Sequence, residues 1–424
     1  MKIMRKTHTI PIELVNKNEK EFLYKNYKFE CRICKNKIFK RIISLGFQPY
    51  ANNFNKKKFQ EKFPLEINIC KKCFNSQLSI LPNFKSLFKK YLYKSSISKQ
   101  FSNHFYKASY NYIRSLNLKK NSFIIDVGSN DGVGLIPFKN LGYKNLLGIE
   151  PATNLANLTK KKGIKVINDF LNLKTTKKIK NKADLILASN VFAHADNLDE
   201  MLICMLSLLK KNGNIVIEVQ YFAKMINDLS FDNIYHEHVN YWTLDTLIKF
   251  VSKFNCKIYK AEEIETHGGS LRIYINKMKN KKIDPSIYKI LKKEEKLKLK
   301  DLKNYEKFQK KIINLKKLVN KNLINLKKKY GDLIGYGAPA KATTAINYFN
   351  INKNIIKFVV DDNPLKINKY IPGTDIIIKS NNNIQKKHRC IIVFAWNMLS
   401  EIKKKYKNKN IKFISVRDLH KTSL

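Results

Sequence analysis

One stretch constrains the fold more than any other. FIIDVGSNDGVG, residues 123–134, is a short apolar run entering a glycine-rich turn and then a helical pattern. NLLGIEP, KVINDF, ADLILASNVFAH and GNIVIEV follow it, with helical patterns such as LICMLSLL between them. Strands alternating with helices over roughly a hundred residues predict a doubly wound parallel sheet, with ligands at the carboxyl ends of its strands. A second strand–glycine-turn–helix unit opens at LIGYGAPAKATTAINYF and continues through IIKFVVDDNP, TDIIIK and RCIIVFAWN. Between the two units, after SLRIYI (270–275), runs a Lys/Glu/Leu-rich segment to Tyr330 without glycine. Its helical periodicity predicts a charged connector. The fold class is therefore α/β, with a larger central unit and a smaller C-terminal one.

The N-terminal part reads differently. Cys31-Arg-Ile-Cys34 and Cys70-Lys-Lys-Cys73 are two C-x-x-C pairs separated by the 35 residues 35–69. With no export signal in the sequence, paired C-x-x-C motifs point to metal and not to disulfides. Four thiolates on two tight knuckles predict a closed tetrahedral structural zinc site, with an inserted loop between the pairs. Cys204, Cys256 and Cys390 lie singly among apolar residues and are expected in cores. Residues 83–105 read as a helical, Tyr-rich connector.

The net charge of +50 raises the question of nucleic acid. Its composition argues against that partner. Among the 83 basic residues only Arg5, Arg32, Arg41, Arg114, Arg272, Arg389 and Arg417 are arginine, and the lysines are spread along the chain. Sequence readers of nucleic acid favour the bidentate arginine fork. Abundant Lys, Asn and Ile together fit a coding bias, and the charge is expected on solvated faces. The longest apolar run, CIIVFAW, is too short for a membrane span, which needs ~18 or more apolar residues. A basic N-terminus without an apolar core is no signal peptide. Neither membrane nor export is expected, which points to the cytoplasm.

A lone glycine-rich turn serves nicotinamide, flavin or S-adenosylmethionine (SAM) equally. The surrounding acids narrow the choice. Asp126, just before Gly128 and Asn130 of the turn, can reach a ligand ammonium, where a pyrophosphate would be repelled. Glu150 ends the second strand 22 residues after Gly128, a spacing that suits a carboxylate on ribose hydroxyls. Asp169 and Phe170 can read an adenine edge and face, and Asn190 ends the fourth strand beside the turn. Together these favour SAM. A further stretch, YHEHVNYW at 235–242, crowds two histidines, a glutamate and two tyrosines together. It can be a metal site, a base or a polar turn; metal is disfavoured by the two-residue histidine spacing and by the cysteines elsewhere.

In order along the chain, CRIC, CKKC, YLYKSS, DVGSNDG, GIEPA, SNVFAHADN, FDNIYHEHVNYWT, THGGSLR and GYGAPAKATT resemble the SAM-dependent sugar C-methyltransferases of nucleotide-deoxysugar pathways. The resemblance runs from about Cys31 to the end. It implies a zinc-binding module (28–95), a Rossmann-like SAM methyltransferase domain (96–280), a helical connector (281–330) and a C-terminal α/β domain (331–424). Its implied substrate is a 4-keto sugar on a nucleoside diphosphate. By the same match Cys31, Cys34, Cys70 and Cys73 hold zinc; Tyr235, Glu237 and His238 fall on the catalytic cluster; Asn190 and His194 lie on cofactor and substrate sides. Tyr91 or Tyr93 enters the site.

The chemistry agrees with that reading. A carbon beside a ketone loses a proton to a base, and the resulting enolate needs a hydrogen-bond donor. His238 is the expected base, Tyr235 the donor or proton shuttle, and Glu237 the carboxylate that orients the imidazole. His236 is expected to face outward. In THGGSLR, which contains His267, the paired glycines allow close approach of a domain or a phosphate. Arg272 suits a diphosphate or an interdomain salt bridge. The GYGAPAKATT turn, with Lys341, is either a phosphate contact or a relic turn that packs its domain. Two rivals remain: a zinc-containing RNA methyltransferase and a non-catalytic nucleotide-sugar binding protein. The oligomeric state is not legible.

Overall fold

The computed structural model describes residues 28, 30–82, 91, 94–97, 99–278, 280–407 and 410–421. Tyr93, most of the 83–93 connector and the side chain of His267 lie outside the described parts.

The first sheet grows out of the cysteine knuckles. β1 (Phe39–Gln48) and β2 (Phe63–Cys70) form an antiparallel pair, and β3 (Ser76–Leu78) adds to β2 after the second knuckle. The residues between the two C-x-x-C pairs are thus mostly hairpin, with a long loop at 49–62.

The central sheet carries the expected alternation. β4 (Ile124–Val127), β5 (Leu146–Ile149), β6 (Lys165–Ile167), β7 (Ala183–Ser189) and β8 (Leu209–Gln220) are parallel, in the order β6-β5-β4-β7-β8. The short β9 (Asn240–Tyr241) leaves this unit and pairs with β3 of the first sheet. β11 (Ser270–Asn276) pairs antiparallel with β8, and β10 (Lys257–Ile264) pairs antiparallel with β11 at the edge; they complete the seven-stranded sheet, which is mixed and not wholly parallel. The charged connector is two helices, Ser286–Lys296 and Leu302–Tyr330, broken where Asp301 caps the second by accepting from Lys303 N. The C-terminal sheet is fully parallel, in the order β14-β13-β12-β15-β16: β12 (Leu333–Tyr336), β13 (Ile356–Val360), β14 (Ile378–Lys379), β15 (Cys390–Val393) and β16 (Lys412–Ser415). One apolar core joins the first sheet, the long connector helix and the C-terminal unit, including Ile67, Phe308 and Ile346. No helix among the described residues is long and apolar enough to cross a membrane.

Arg272 departs from both expectations. It stands directly opposite Glu218 on β8 and Glu262 on β10. Its Nε donates to Glu218 at 2.6 Å and its Nη1 to Glu262 at 3.2 Å. Tyr112 and His104 also hydrogen-bond Glu218. Burial alone would raise the Glu218 carboxyl, but Arg272 and then His104 bring it down to about 2. The guanidinium is therefore occupied inside the central sheet, by carboxylates of its own unit. Sequence spacing could not show this, because the pairing is across strands. Glu218→Gln should leave Arg272 with only the more exposed Glu262 as counter-charge and cost about 3 kcal/mol of stability, the lower end of the range for breaking a buried pair. Denaturant unfolding measures it; an unchanged midpoint would contradict the assignment.

Candidate active site

Four sulfurs define the metal site. The Sγ atoms of Cys31, Cys34, Cys70 and Cys73 all lie within 4.8 Å of one another. Cys31–Cys73 and Cys34–Cys70 approach to 3.5 and 3.6 Å. A tetrahedron with Zn–S bonds of ~2.3 Å has S–S edges of about 3.8 Å, so the cage fits zinc. The two knuckles match: Lys35 N donates to Cys31 O, and Phe74 N to Cys70 O.

A cavity of about 710 Å³ opens at the carboxyl ends of the central strands. Its walls include Asp126, Gly128, Asn130, Glu150, Asp169, Phe170 and Asn190 on one side. Tyr91, His194, Tyr235, His238 and Lys341 also line it. Gly128 has φ +69°, and a Cβ there would stand 2.3 Å from Val191 Cγ2, so both backbone and space require glycine. The turn is held to β5: Gly128 N and Ser129 N donate to Ile149 O. Glu150 accepts from Asn130 N and Ala152 N, each at 2.8 Å, which fixes its carboxylate at the cavity wall.

Asp126 is buried, and burial, then Glu150 and Glu218, push its pKa up to about 8. Carboxylates gathered this way suit a cationic ligand, which is the test the SAM reading needs. SAM carries an ammonium and a sulfonium, and Asp126 and Glu150 are the wall carboxylates that could meet its charged and ribose ends.

The YHEHVNYW stretch differs in detail from expectation. His238 Nδ1 lies 3.1 Å from Asn233 O, which can only accept. Nδ1 therefore carries the proton, and Nε2 accepts from the Tyr235 hydroxyl at 2.9 Å. Glu237 does not orient His238. Its carboxylate is 1% exposed and accepts from Asn52 Nδ2 at 2.8 and 2.9 Å and from Tyr91 OH at 2.8 Å. Burial raises its pKa, with Tyr91 and Asn52 opposing. Its side chain does not line the cavity, though its backbone oxygen meets His194 Nδ1 at 2.5 Å. His236 is not outward: it is fully buried, edge-on to Tyr50 and Phe63, and burial pushes it down to about 4. The rings of His194 and His238 lie 5.1 Å apart.

Other parts close on the same place. Asn52 comes from the 49–62 loop, and Ser95, Asp196, Gln220 and Asn233 also line the cavity. The sequence offered no signal for Asn52 beyond its position in the insert between the cysteines. From the C-terminal unit, Lys341 Nζ donates to Asn397 Oδ1 at 2.6 Å and sits 3.7 Å over the Trp396 ring. Burial lowers it to about 8, against the pull of Asp232. Thr343 and Thr344 on the same helix bond Ala51 O and Ile234 O, so the GYGAPAKATT turn also packs its domain. One N–H of the turn, Ala338 N, is taken by Asp361. Of the paired glycines, Gly268 (φ +89°) faces Trp396 of the C-terminal unit, 2.4 Å from where a Cβ would stand.

The free Asp126 carboxyl keeps its proton until near pH 8. A bound cation favours the carboxylate and lowers that pKa, so binding expels a proton in the window between the two values. SAM affinity should climb with pH towards about 8. Calorimetry in buffers of different ionisation heat should register proton release with the native protein and less with Asp126→Asn. No release by the native protein would contradict this role.

Comparison with known proteins agrees in order along the chain. A "Putative zinc binding domain" model matches residues 31–88, a "Methyltransferase domain" model 100–261 and a "C-methyltransferase C-terminal domain" model 265–416. C-methyltransferase NovU of Streptomyces niveus is 25% identical over 382 residues, covering 88% of this chain and 91% of its own. Among solved structures, magnesium protoporphyrin IX methyltransferase from Synechocystis with bound SAM has TM-score 0.32 at 12% identity, over 41% of this chain and 78% of that one. The plantazolicin methyltransferase BpumL with S-adenosylhomocysteine has TM-score 0.33 at 17% identity, over 42% and 84%. With its four-cysteine cage, its acid-lined cavity and these three matched segments, the chain is a SAM-dependent C-methyltransferase with an N-terminal zinc module.

Proposed function

We propose that the chain methylates the carbon next to the ketone of a nucleoside-diphosphate-linked 4-keto sugar. The observation that carries this reading is the Tyr235–His238 pair in the cavity, with the His238 tautomer set by Asn233 O so that Nε2 is the basic nitrogen. SAM supplies an electrophilic methyl whose bonding electrons stay with sulfur. His238 Nε2 takes the proton from the carbon alpha to the ketone. The Tyr235 hydroxyl turns from Nε2 to the ketone oxygen and stabilises the enolate charge. The enolate carbon then forms the new C–C bond. Tyr91 is steered by its hydrogen bond to Glu237, and His194 by the Glu237 carbonyl.

Charge supports the orientation of both molecules. Asp126, Glu150 and Asp169 make the cofactor side acidic, whereas Lys341 brings the cation to the other side, where a diphosphate would lie. The substrate in this reading is a small molecule and not a nucleic acid, and Lys341 is its diphosphate contact. In this reading His267 counts among the substrate-binding residues, and zinc is structural.

The test is incubation with SAM and a panel of 4-keto nucleotide sugars beside their 4-hydroxy counterparts, read by mass. The expected outcome is a gain of one carbon-bound methyl by a keto sugar and none by the hydroxy forms, because only the ketone acidifies the neighbouring C–H. Equal methylation of hydroxy sugars, or no turnover across the panel, would contradict the proposal.

A further inference from the structure

We propose that Arg32, inside the first zinc knuckle, is a positioning residue of the active site, acting through the loops that carry His194 and His238. The zinc module then does more than stabilise its own fold. The inference rests on the placement of those two histidines in the methyltransferase site and not on the identity of the sugar.

Arg32 is 3% exposed, and a buried guanidinium is costly unless its donors are used. Nε and Nη1 reach three separate segments, while Nη2 has no hydrogen-bond partner among the described residues. Nε donates to Asp196 Oδ1 at 3.2 Å. Nη1 lies 3.3 Å from Leu78 O and 3.4 Å from Val239 O. The Arg32 backbone N donates to Gln77 Oε1 at 2.9 Å. Val239 follows His238 directly. Asp196 lies two residues beyond His194 and lines the cavity. Leu78 and Gln77 belong to β3, the strand on which β9 is paired. One side chain, set between two zinc ligands, thus spans the loops of both histidines and the strand that anchors one of them.

Those loops need outside support. Between Tyr235 and Trp242 regular structure is limited to the two residues of β9. The loops are tied to each other by Val239 N to Ala193 O and by Asn240 Nδ2 to Ala195 O. Arg32 closes the same contact from the zinc side. A misplacement of about 1 Å in a reacting group can cost about 10²-fold in rate. Loss of this brace should therefore fall on turnover and leave the cofactor wall, built on β4 and β5, in place.

The test uses the full zinc-loaded chain with Arg32→Met, which keeps an unbranched apolar stem without the fork, and Asp196→Asn as a second route to the same brace. Amide hydrogen exchange is followed by mass, together with zinc content and S-adenosylhomocysteine titration. In Arg32→Met the expected result is faster exchange confined to 193–197 and 236–243. Zinc content, exchange in β4 and β7, and cofactor affinity should stay within about twofold. Asp196→Asn should speed the same two segments, and the double variant should add little, since coupled contacts are not additive. Arg32→Lys should not restore protection, because one ammonium cannot reproduce the fork. Where a keto-sugar substrate is turned over, kcat should fall by about 10–100-fold with KM little changed. Unchanged exchange at both loops would overturn the proposal. Loss of zinc or a rise across the whole chain would also overturn it, making Arg32 a part of the knuckle alone. A failure of the sugar reading leaves the exchange result standing, so the two can be told apart.

Discussion

The hydrogen bond between Tyr235 and His238 decides what this cavity can do, and the chain around it is arranged to hold that pair in one geometry. The loop that bears them has little regular structure, so its shape is imposed by neighbours. Asn233 O fixes the imidazole tautomer. β3 of the cysteine-rich module pairs with β9. Thr344 of the C-terminal unit bonds Ile234 O. Ala193 O receives Val239 N. In the proposed reaction His238 Nε2 must meet one C–H bond, and this kind of restraint suits that task, because catalysis depends on positions held to a fraction of an ångström.

Electrostatics divides the cavity in two. On the side of β4 and β5 the carboxylates of Asp126 and Glu150 come together, and burial, then Glu150, raises Asp126 to about 8. On the other side Lys341 is buried against Trp396, with Asp232 drawing its pKa up against burial. Each end is strained alone and relieved by a partner of opposite sign. A cationic methyl donor and an anionic acceptor would therefore enter in a fixed order of ends.

Much of the frame was legible in the sequence because its signals are local. The apolar runs before DVGSNDG and GYGAPAK mark buried strands, and the two C-x-x-C pairs mark knuckles; each depends on residues close in the chain. The edge strand β10 was harder, since KIYKAEEI reads as polar. Within the site, the turn acids, Tyr235 and His238 do come together around the cavity. The roles that went astray depend on tertiary partners. Glu237 is adjacent to His238 in sequence but turns to Asn52, 185 residues away. His236 looked exposed because it is polar, yet Tyr50 and Phe63 enclose it. Arg272 looked available for a ligand, but cross-strand register gives it to Glu218 and Glu262. Asn52 carried no motif, and nothing in CRIC marked Arg32 beyond the flanking cysteines; only folded contacts bring the two to the loops of the cavity.

The central claim is that His238 removes a proton from the acceptor before the methyl group moves. Solvent exchange separates that step from transfer. A keto nucleotide sugar that the native protein methylates is held in heavy water with S-adenosylhomocysteine in place of SAM, and deuterium uptake at the carbon beside the ketone is followed by mass. The native protein should exchange that proton, and His238→Ala should slow the exchange by about 10²–10⁴-fold, the usual weight of a general base, while still binding the cofactor product. Equal exchange by the native protein and His238→Ala would contradict the account.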